Sequence, residues 1–159
     1  MVVCIAAADG TRPHGPSFSA LHLAIDRPGQ SMVKLVFCLR RRADMPAAAF
    51  HRYWREEHGP LVARHAAALG IRRYVQLHTL DHPLNAALAA SRDVREQPYD
   101  GLAELWWDDA DALAAGASTD TGRKAGMALL EDERRFIDHG RSRIFIGEEQ
   151  VFVACKEET

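Results

Sequence analysis

Four segments of the chain alternate apolar and polar residues with the period of a β-strand. The alternation covers residues 33–40, 71–80 and 99–107, and a fourth strand lies within 142–154 with a bend at 147–149. Successive side chains of a strand point to opposite faces, so each segment can bury one face and expose the other. The pattern therefore predicts a sheet of four short strands.

Stretches with helical periodicity separate these strands. Residues 46–57 predict an amphipathic helix with Asp44 as its N-cap. A His-Gly-Pro corner at residues 58–60 is expected to end this helix, because proline cannot extend the hydrogen-bond ladder and the residue before proline avoids helical backbone. A second helix follows the corner and ends at Gly70.

The second half of the chain repeats this alternation of strands and helices. Residues 81–98 predict a long excursion with one short helix over 85–91, and an excursion of this length suggests a binding role. A short helix over 110–115 and a longer helix over 121–137 precede the last strand. The order predicts an α+β, ferredoxin-like split βαβ domain, a four-stranded antiparallel sheet with helices on one face.

Helices on one face leave the other face of such a sheet uncovered. A sheet with apolar residues on both sides has to bury both of them, so a second copy of the chain is the expected cover. The sequence therefore predicts a homodimer that packs sheet against sheet.

Composition limits the functional classes. The 159 residues are 47% hydrophobic, which suits a single domain with a normal core. No apolar run reaches the roughly 18 residues that a membrane helix needs, and a net charge of −2 lacks the basic footprint of a nucleic-acid-binding protein. Cys4, Cys38 and Cys155 are odd in number and far apart, which indicates reduced thiols in the cytoplasm.

The first 31 residues lack the periodicity of a strand or a helix. Their short apolar run has no preceding positive charge, so it is a poor secretory signal, and turn-forming residues follow it. We expect a poorly ordered extension over 1–31, a domain over 32–154 and a C-terminal tail over 155–159.

Candidate chemistry centres on His58, which lies close in sequence to Tyr53 and Trp54. A histidine titrates near neutral pH and can act as a general acid or base. Alternatively, its ring bonds to a backbone carbonyl and stabilises the corner. Tyr53 and Trp54 point about 100° apart on a helix, so one is expected in the core while the other lines a ligand cavity.

The second and third strands each place several polar or aromatic side chains on one face. Tyr74, Gln76 and His78 share a face, and we take Tyr74 and His78 as pocket residues. Asp100 and Glu104 share a face with Trp106, and two carboxylates there could assist a histidine in proton abstraction. The alternative is that they pair across the dimer with arginines, namely Arg40, Arg72 or Arg73.

Three histidines recur every seven residues, at His51, His58 and His65. A stripe of this kind suggests a metal site, but zinc ligands have to converge, whereas positions seven apart on a helix are separated by about 10 Å. The expected break at Pro60 separates the stripe further. We predict no metal site.

Four motifs, in this order, resemble the EthD family, which is named for a protein of ethyl tert-butyl ether degradation. The motifs are Phe50-x-x-Tyr53-Trp54-x-x-x-His58-Gly59-Pro60-Leu61, Arg73-Tyr74-Val75-Gln76, the segment 99–107, and Glu131-Asp132-Glu133-x-x-Phe136-Ile137-Asp138. The resemblance covers residues 32–154. It implies a homodimeric α+β barrel with a small-molecule pocket between the sheet and the helices.

The resemblance also implies two alternative functions. Fungal relatives act as cofactor-free dehydratases or decarboxylases on polyketide precursors, and related barrels include cofactor-independent monooxygenases. The first expectation is therefore a cofactor-independent enzyme, of oxidoreductase, monooxygenase or dehydratase type, acting on a small apolar carbonyl or phenolic compound. In it His58 is the acid or base, Tyr53 or His78 assists, and Trp54, Tyr74, Asp100, Glu104 and Trp106 contact the substrate.

The founding member of the family suggests the other expectation. It resembles an accessory protein of an ether-oxidising cytochrome P450 system, so this chain would bind a small apolar ligand for a partner oxygenase. Neither expectation requires a cofactor. Some related barrels bind haem through a histidine, which leaves haem as the alternative.

Overall fold

A four-stranded antiparallel sheet forms the centre of the computed structural model, which describes residues 32–153. The extension over 1–31 and the tail over 155–159 lie outside the described residues. The strands are β1 (Val33–Leu39), β2 (Arg73–His78), β3 (Gly101–Trp107) and β4 (Arg143–Glu148). The helices are α1 (Ala47–Tyr53), α2 (Gly59–Leu69), α3 (Pro83–Ala90), α4 (Ala110–Ser118) and α5 (Asp120–Glu133). A π-helical turn, Trp54–His58, joins α1 to α2.

The strand order is β2-β3-β1-β4, and every neighbouring pair is antiparallel. Each pair of parallel strands, β1 with β2 and β3 with β4, is separated in the sheet by one strand and connected in the chain through helices. This is the split βαβ arrangement. The predicted ferredoxin-like α+β fold is confirmed.

The hydrophobic core lies between the sheet and the helices. Phe37 and Leu39 of β1 contribute the sheet side, while Phe50, Trp54 and Phe136 contribute the helix side. The rings of Trp54 and Phe136 each lie 5.6 Å from the ring of Phe50, between centroids. Aromatic groups of this size dominate the apolar area that a small domain buries.

One glycine permits the closest approach of helix and sheet. A Cβ at Gly101 would lie 2.5 Å from the Trp54 ring and 2.6 Å from the carbonyl oxygen of Leu77. Because both contacts are shorter than van der Waals distance, only glycine lets the indole lie directly over β3.

The predicted corner at residues 58–60 is wrong, because helical backbone continues through it. Gly59 has φ −55° and ψ −53°, and its N–H donates to the carbonyl of Trp54, five residues earlier. Glycine lacks the Cβ that clashes with the ring of a following proline, and the wider turn moves the ladder around the missing N–H of Pro60. The helix therefore widens where it was expected to end.

Two predicted caps differ from the structure. Asp44 does not cap α1, since its carboxylate accepts hydrogen bonds of 2.8 and 3.0 Å from the side chain of Arg42. Pro46 occupies the N-cap position without a side-chain bond. The helix of the excursion begins at Pro83, two residues earlier than predicted, because the His82 ring accepts a hydrogen bond from the helix's first turn.

The ends of the last three elements also differ. The fourth helix is longer than predicted and runs to Ser118. The fifth ends at Glu133, since the chain then turns and Ile137 bridges to Arg41 beside β1. The predicted bend at 147–149 is wrong, because Gly147 pairs in register with β1 and the strand then ends.

No helix covers the opposite face of the sheet, hereafter the open face, in the part of the chain that the structure describes. Leu77 and Phe145 lie there, 53% and 55% exposed. Lys34 forms ion pairs with Glu104 and Glu149, and its ammonium lies 4.5 Å from the ring centroid of Trp106. The open face therefore combines exposed apolar groups with a cluster of paired charges.

Two further observations relate to the predicted reduced thiols and to the predicted lack of a membrane helix. Cys38 is a free, half-buried thiol whose pKa is raised by burial; Cys4 and Cys155 lie outside the described residues. Within 32–153, every helix is too short or too polar to cross a membrane.

Candidate functional site

His58 is buried and bonded to a carboxylate of α5. Its Nδ1 lies 2.8 Å from Oδ2 of Asp132, and the hydroxyl of Tyr53 donates to the other carboxylate oxygen at 2.6 Å. An ionised carboxylate can only accept hydrogen bonds, so Nδ1 of His58 carries the proton. The ring nitrogen left to take up or deliver a proton is then Nε2. Tyr53, His58 and Asp132 are called the Asp132 network below.

The π turn is what brings the two partners of Asp132 together. Residues five apart on an α-helix point about 140° away from one another, since each residue turns the helix by 100°. A π turn, with its i→i+5 bonds, contains more residues per turn, so residues five apart lie closer together around the axis than in an α-helix. The rings of Tyr53 and His58 accordingly pack on the same aromatic ring, that of Phe136, at centroid distances of 5.2 and 5.1 Å.

Tyr53 keeps its proton under ordinary conditions. Burial and the neighbouring carboxylate of Asp132 raise the pKa of the Tyr53 hydroxyl, although Arg135 partly opposes them. Tyr53 therefore acts as a donor that holds the carboxylate in place. Arg135 also lies 3.8 Å from Asp132 Oδ1, which adds a second, weaker attraction.

A second set of polar side chains lies on the helix-facing side of β2. The indole Nε1 of Trp54 donates to the hydroxyl oxygen of Tyr74 at 3.1 Å, and Nε2 of Gln76 donates to the same oxygen at 2.9 Å. Both lone pairs of this oxygen are thus engaged, so the hydroxyl proton is the group that Tyr74 can offer to a ligand. Burial raises the pKa of Tyr74 to about 12, which keeps that proton in place. Trp54, Tyr74, Gln76 and His78 are called the Tyr74 network.

The amide of Gln76 determines the tautomer of His78. Its Nε2 also donates to the carbonyl of Trp54 at 2.9 Å, so its Oε1 is the atom 2.9 Å from Nε2 of His78. An amide oxygen only accepts, and His78 therefore carries its proton on Nε2. Burial, with repulsion from His51 and Arg55, lowers the pKa of His78 and favours the neutral ring.

The two networks meet at the π turn. The carbonyl of Trp54 accepts from the N–H of Gly59 and from the amide of Gln76. A Cβ at position 59 would lie 3.1 Å from Nε2 of Gln76, so glycine allows the turn to pack this closely on β2. The π turn therefore carries His58 and also, through Trp54 and its bond from Gln76, the partners of the Tyr74 hydroxyl.

The structure separates several residues that the sequence grouped. Trp54 is a core residue, 1% exposed, and its ring stacks on that of His78 with 4.6 Å between centroids. Asp100 precedes β3, where its carboxylate binds Arg41. Glu104 lies on the open face and pairs with Lys34, on the side of the sheet away from both networks.

The expected joint action of Asp100 and Glu104 with a histidine is therefore wrong. Within one chain the partners of the two carboxylates are Arg41 and Lys34, while the alternative pairing with arginines across the dimer stays a prediction. Trp106 is likewise on the open face, where its Nε1 lies 3.3 Å from Oε2 of Glu149. These three residues stabilise the fold around the strands.

Sequence reasoning missed two members of the site, Asp132 and Gln76. Asp132 stands within a charged run of α5, and its burial depends on which side α5 turns toward the π turn. The available signal was Gly59 before Pro60, because glycine in that position allows helical backbone to continue. No cluster of three His, Cys, Asp or Glu side chains suited to a metal ion occurs within residues 32–153.

Comparison with known proteins identifies relatives of this fold. The model of the EthD domain matches residues 42–140. An EthD family protein from Bacillus halodurans is 24% identical, with 75% of this chain and 99% of that one covered and a TM-score of 0.51. An EthD-like protein from Ralstonia eutropha is 15% identical, covers 79% and 98% respectively, and has a TM-score of 0.51. No curated protein matches in sequence.

The two solved structures support the fold, and the family model covers most of the helices and strands that build both networks. The chain belongs to the EthD family.

Proposed function

We propose that this protein is a cofactor-independent enzyme that moves a proton on a small, largely apolar carbonyl or phenolic compound. The observation that carries the proposal is the bond between His58 and Asp132. A partly buried carboxylate that holds Nδ1–H leaves Nε2 as a base of fixed orientation, which is the arrangement general-base histidines use in many enzymes.

Tyr74 supplies the complementary group. When His58 removes a proton from the carbon beside a carbonyl, the C–H bond breaks, its electrons move to the carbonyl oxygen, and the proton resides on Nε2. An oxygen that gains charge is stabilised by a positioned hydrogen-bond donor. Tyr74 suits that role because its hydroxyl oxygen already accepts from Trp54 and Gln76.

An apolar row extends from Tyr74 across the helix-facing side of the sheet. Tyr74 pairs with Leu105, Leu105 with Leu35, and Leu35 with Ile146, so the four side chains lie in one line across all four strands. Ile146 is 52% exposed at the far end. A polar donor at one end of a partly open apolar row fits a mainly apolar substrate that carries one oxygen.

The intermediate can then follow a dehydratase course. If the substrate bears a hydroxyl group on the next carbon, the enolate reforms the carbonyl, the C–O bond breaks, and the imidazolium of His58 returns its proton to the departing hydroxide. Base and acid are the same side chain, so no further titrating group is required. His78, neutral and held by Gln76, is proposed to maintain the orientation of the Tyr74 network.

The second candidate is an accessory protein that binds a small apolar compound for a partner oxygenase. It is favoured by the burial of His58, which is only 5% exposed and ties the π turn to α5. A binding protein would need the apolar row but no acid or base. The two candidates differ in whether removing the imidazole abolishes chemistry or only alters binding.

The substitution His58→Gln separates them. We expect wild-type protein to accelerate exchange of the α-hydrogens of 2-tetralone, an apolar enolisable ketone, with deuterium from the solvent. Loss of the base should reduce that acceleration by about 100-fold or more, while 2-tetralone binding changes little. Proton NMR in deuterium oxide measures both.

The matched control is His139→Gln. His139 is also bonded to a carboxylate, Glu133, at 3.1 Å, and its ring stacks on a core aromatic group. This variant should retain wild-type exchange. Full exchange activity in His58→Gln would overturn the enzyme assignment, and binding without any wild-type acceleration would favour the accessory role.

The ionisation of Tyr74 predicts a specific loss of stability in alkali. Its pKa of about 12 in the folded protein lies above the usual value near 10. A group whose pKa is raised by folding stabilises the protein fully below the unfolded pKa, and that stabilisation fades as the pH rises through the folded pKa. It amounts to at most about 3 kcal/mol and is lost between about pH 10 and 12.

Urea unfolding of wild type and Tyr74→Phe measures this contribution. The free energy of unfolding of the wild type should approach that of the variant as the pH rises above about 10, because phenylalanine has no proton to lose. A difference between the two proteins that stays constant with pH would show that Tyr74 ionises normally.

We further propose that the protein is a homodimer that packs through its open face. The support is a sheet with helices on one side only and exposed Leu77 and Phe145 on the other. Three charged groups on this face, Lys34, Glu104 and Glu149, are already paired with one another within the chain, so their burial costs less than that of single charges.

Leu77→Glu tests the dimer by placing a charge on the open face, on the edge strand β2. Sedimentation velocity should show a dimer for wild type and a monomer for the variant at micromolar concentration. Leu84→Glu is the control, since Leu84 is 60% exposed on α3, away from the sheet. A wild-type monomer, or an unchanged dimer in Leu77→Glu, would contradict the proposal.

A further inference from the structure

A cleft of about 740 Å³ opens at the edge of the fold where β1 and β2 end and β3 begins. It belongs to neither network described above, although His51 on its wall contacts His78, with 4.8 Å between ring centroids. Its volume lies within the range of small-molecule pockets. Its charged and ionisable lining consists mainly of Arg40, Arg41, Arg42, Arg141, Asp81, Asp100 and His51.

Two of these arginines are neutralised by carboxylates. Arg41 forms an ion pair with Asp100, and Arg42 forms one with Asp44 at 2.8 Å. Arg40 differs, because its two terminal nitrogens donate to the carbonyl oxygens of Gln97 and Pro98 at 2.6 and 2.7 Å. These partners are neutral, so they hold the guanidinium in place without cancelling its charge.

Besides the two carbonyl acceptors, an aromatic ring also holds the guanidinium of Arg40 in position. Its guanidinium lies 4.5 Å from the ring centroid of Tyr99, within the range of a cation–π interaction. A cation that is already ordered loses little conformational entropy when an anion binds. Arginine also presents several N–H groups in a planar fork, which matches the two oxygens of a carboxylate.

The remainder of the wall can accommodate the body of an organic ligand. Ala43, Ala47 and Ala48 line the cleft with methyl groups only, and Leu80 adds an apolar side chain at its edge. His51 contributes a polar atom, since its Nε2 lies 2.8 Å from the carbonyl of Asp100 and must donate there, which leaves Nδ1 as an acceptor.

We propose that this cleft binds a small organic carboxylate. The carboxylate group pairs with Arg40 and Arg141, and the apolar body lies against the alanine wall. The inference goes beyond the proposed function, because it depends on the charge and shape of the cleft and not on proton transfer at His58.

The test compares two probes of nearly the same shape, 2-naphthoate and neutral 2-naphthamide, by isothermal titration calorimetry at low salt. A charge-assisted pair with one fixed guanidinium is worth about a tenfold difference in affinity or more. We expect 2-naphthoate to bind at least tenfold more tightly than 2-naphthamide. Its advantage should shrink at about 0.15 M salt, where the screening length is about 8 Å.

Variants then locate the site. Arg40→Gln should remove most of the preference for 2-naphthoate, and Arg141→Gln, at an exposed position, should reduce it even if Arg40→Gln fails to fold. The control is the double change Arg42→Gln with Asp44→Asn, which removes a pair whose charges already cancel. It should leave the preference intact.

Three outcomes would overturn the proposal. The first is equal affinity for the two probes, and the second is an equal effect of Arg141→Gln and of the double control. The third is displacement of 2-naphthoate by inorganic phosphate at equal concentration, which would indicate a general anion site. His58→Gln should bind 2-naphthoate normally, so failure of the cleft proposal and failure of the proposed chemistry are distinguishable.

Discussion

The π turn at Trp54–His58 is the constraint on which the rest of the site depends. It brings Tyr53 and His58 onto one side of the helix, where a single carboxylate, Asp132, bonds to both. It also directs a backbone carbonyl toward β2, where Gln76 binds it. An uninterrupted α-helix would separate these partners around its axis, and a break would release His58 from the core. This π turn therefore connects the helix, the sheet and α5.

The same turn explains how a core with so many polar groups stays intact. Burying a hydroxyl, an amide or an imidazole is costly unless it is hydrogen-bonded. Within the described residues, every buried side-chain nitrogen or oxygen has a partner. Trp54, Tyr74, Gln76 and His78 are joined by successive hydrogen bonds. In these bonds the Tyr74 oxygen acts only as an acceptor, so its proton is not used by them. The buried polar side chains are thus all hydrogen-bonded, while the hydroxyl of Tyr74 can still donate to a ligand.

The sequence predicted the strands, their order and the face shared by Tyr74, Gln76 and His78, because period-two alternation is a local property. It failed at residues 58–60, where proline suggested a break while glycine removed the steric reason for one. It also failed for Asp100 and Glu104. Alternation places them on one face, but whether that face meets helices or solvent depends on the whole sheet, and Asp100 lies before the strand begins.

Hydrogen bonds between residues far apart in the chain were the hardest to predict from the sequence. Asp132 is separated from His58 by most of the domain, and nothing local marks it among the acidic residues of α5. Its pairing is a consequence of how α5 packs on the helix above the sheet. Such packing is decided by side chains that meet only after folding, such as Phe136 against Tyr53 and His58.

The central claim is that Asp132 fixes the ring of His58 with its proton on Nδ1. Nitrogen-15 NMR of histidine-labelled protein distinguishes the two tautomers of a neutral ring directly. We predict the Nδ1–H form for His58, in contrast to the Nε2–H form for His51 and His78, whose Nε2 atoms face oxygen acceptors. A neutral His58 with its proton on Nε2 would contradict the account, because the nitrogen facing Asp132 would then have no proton to donate.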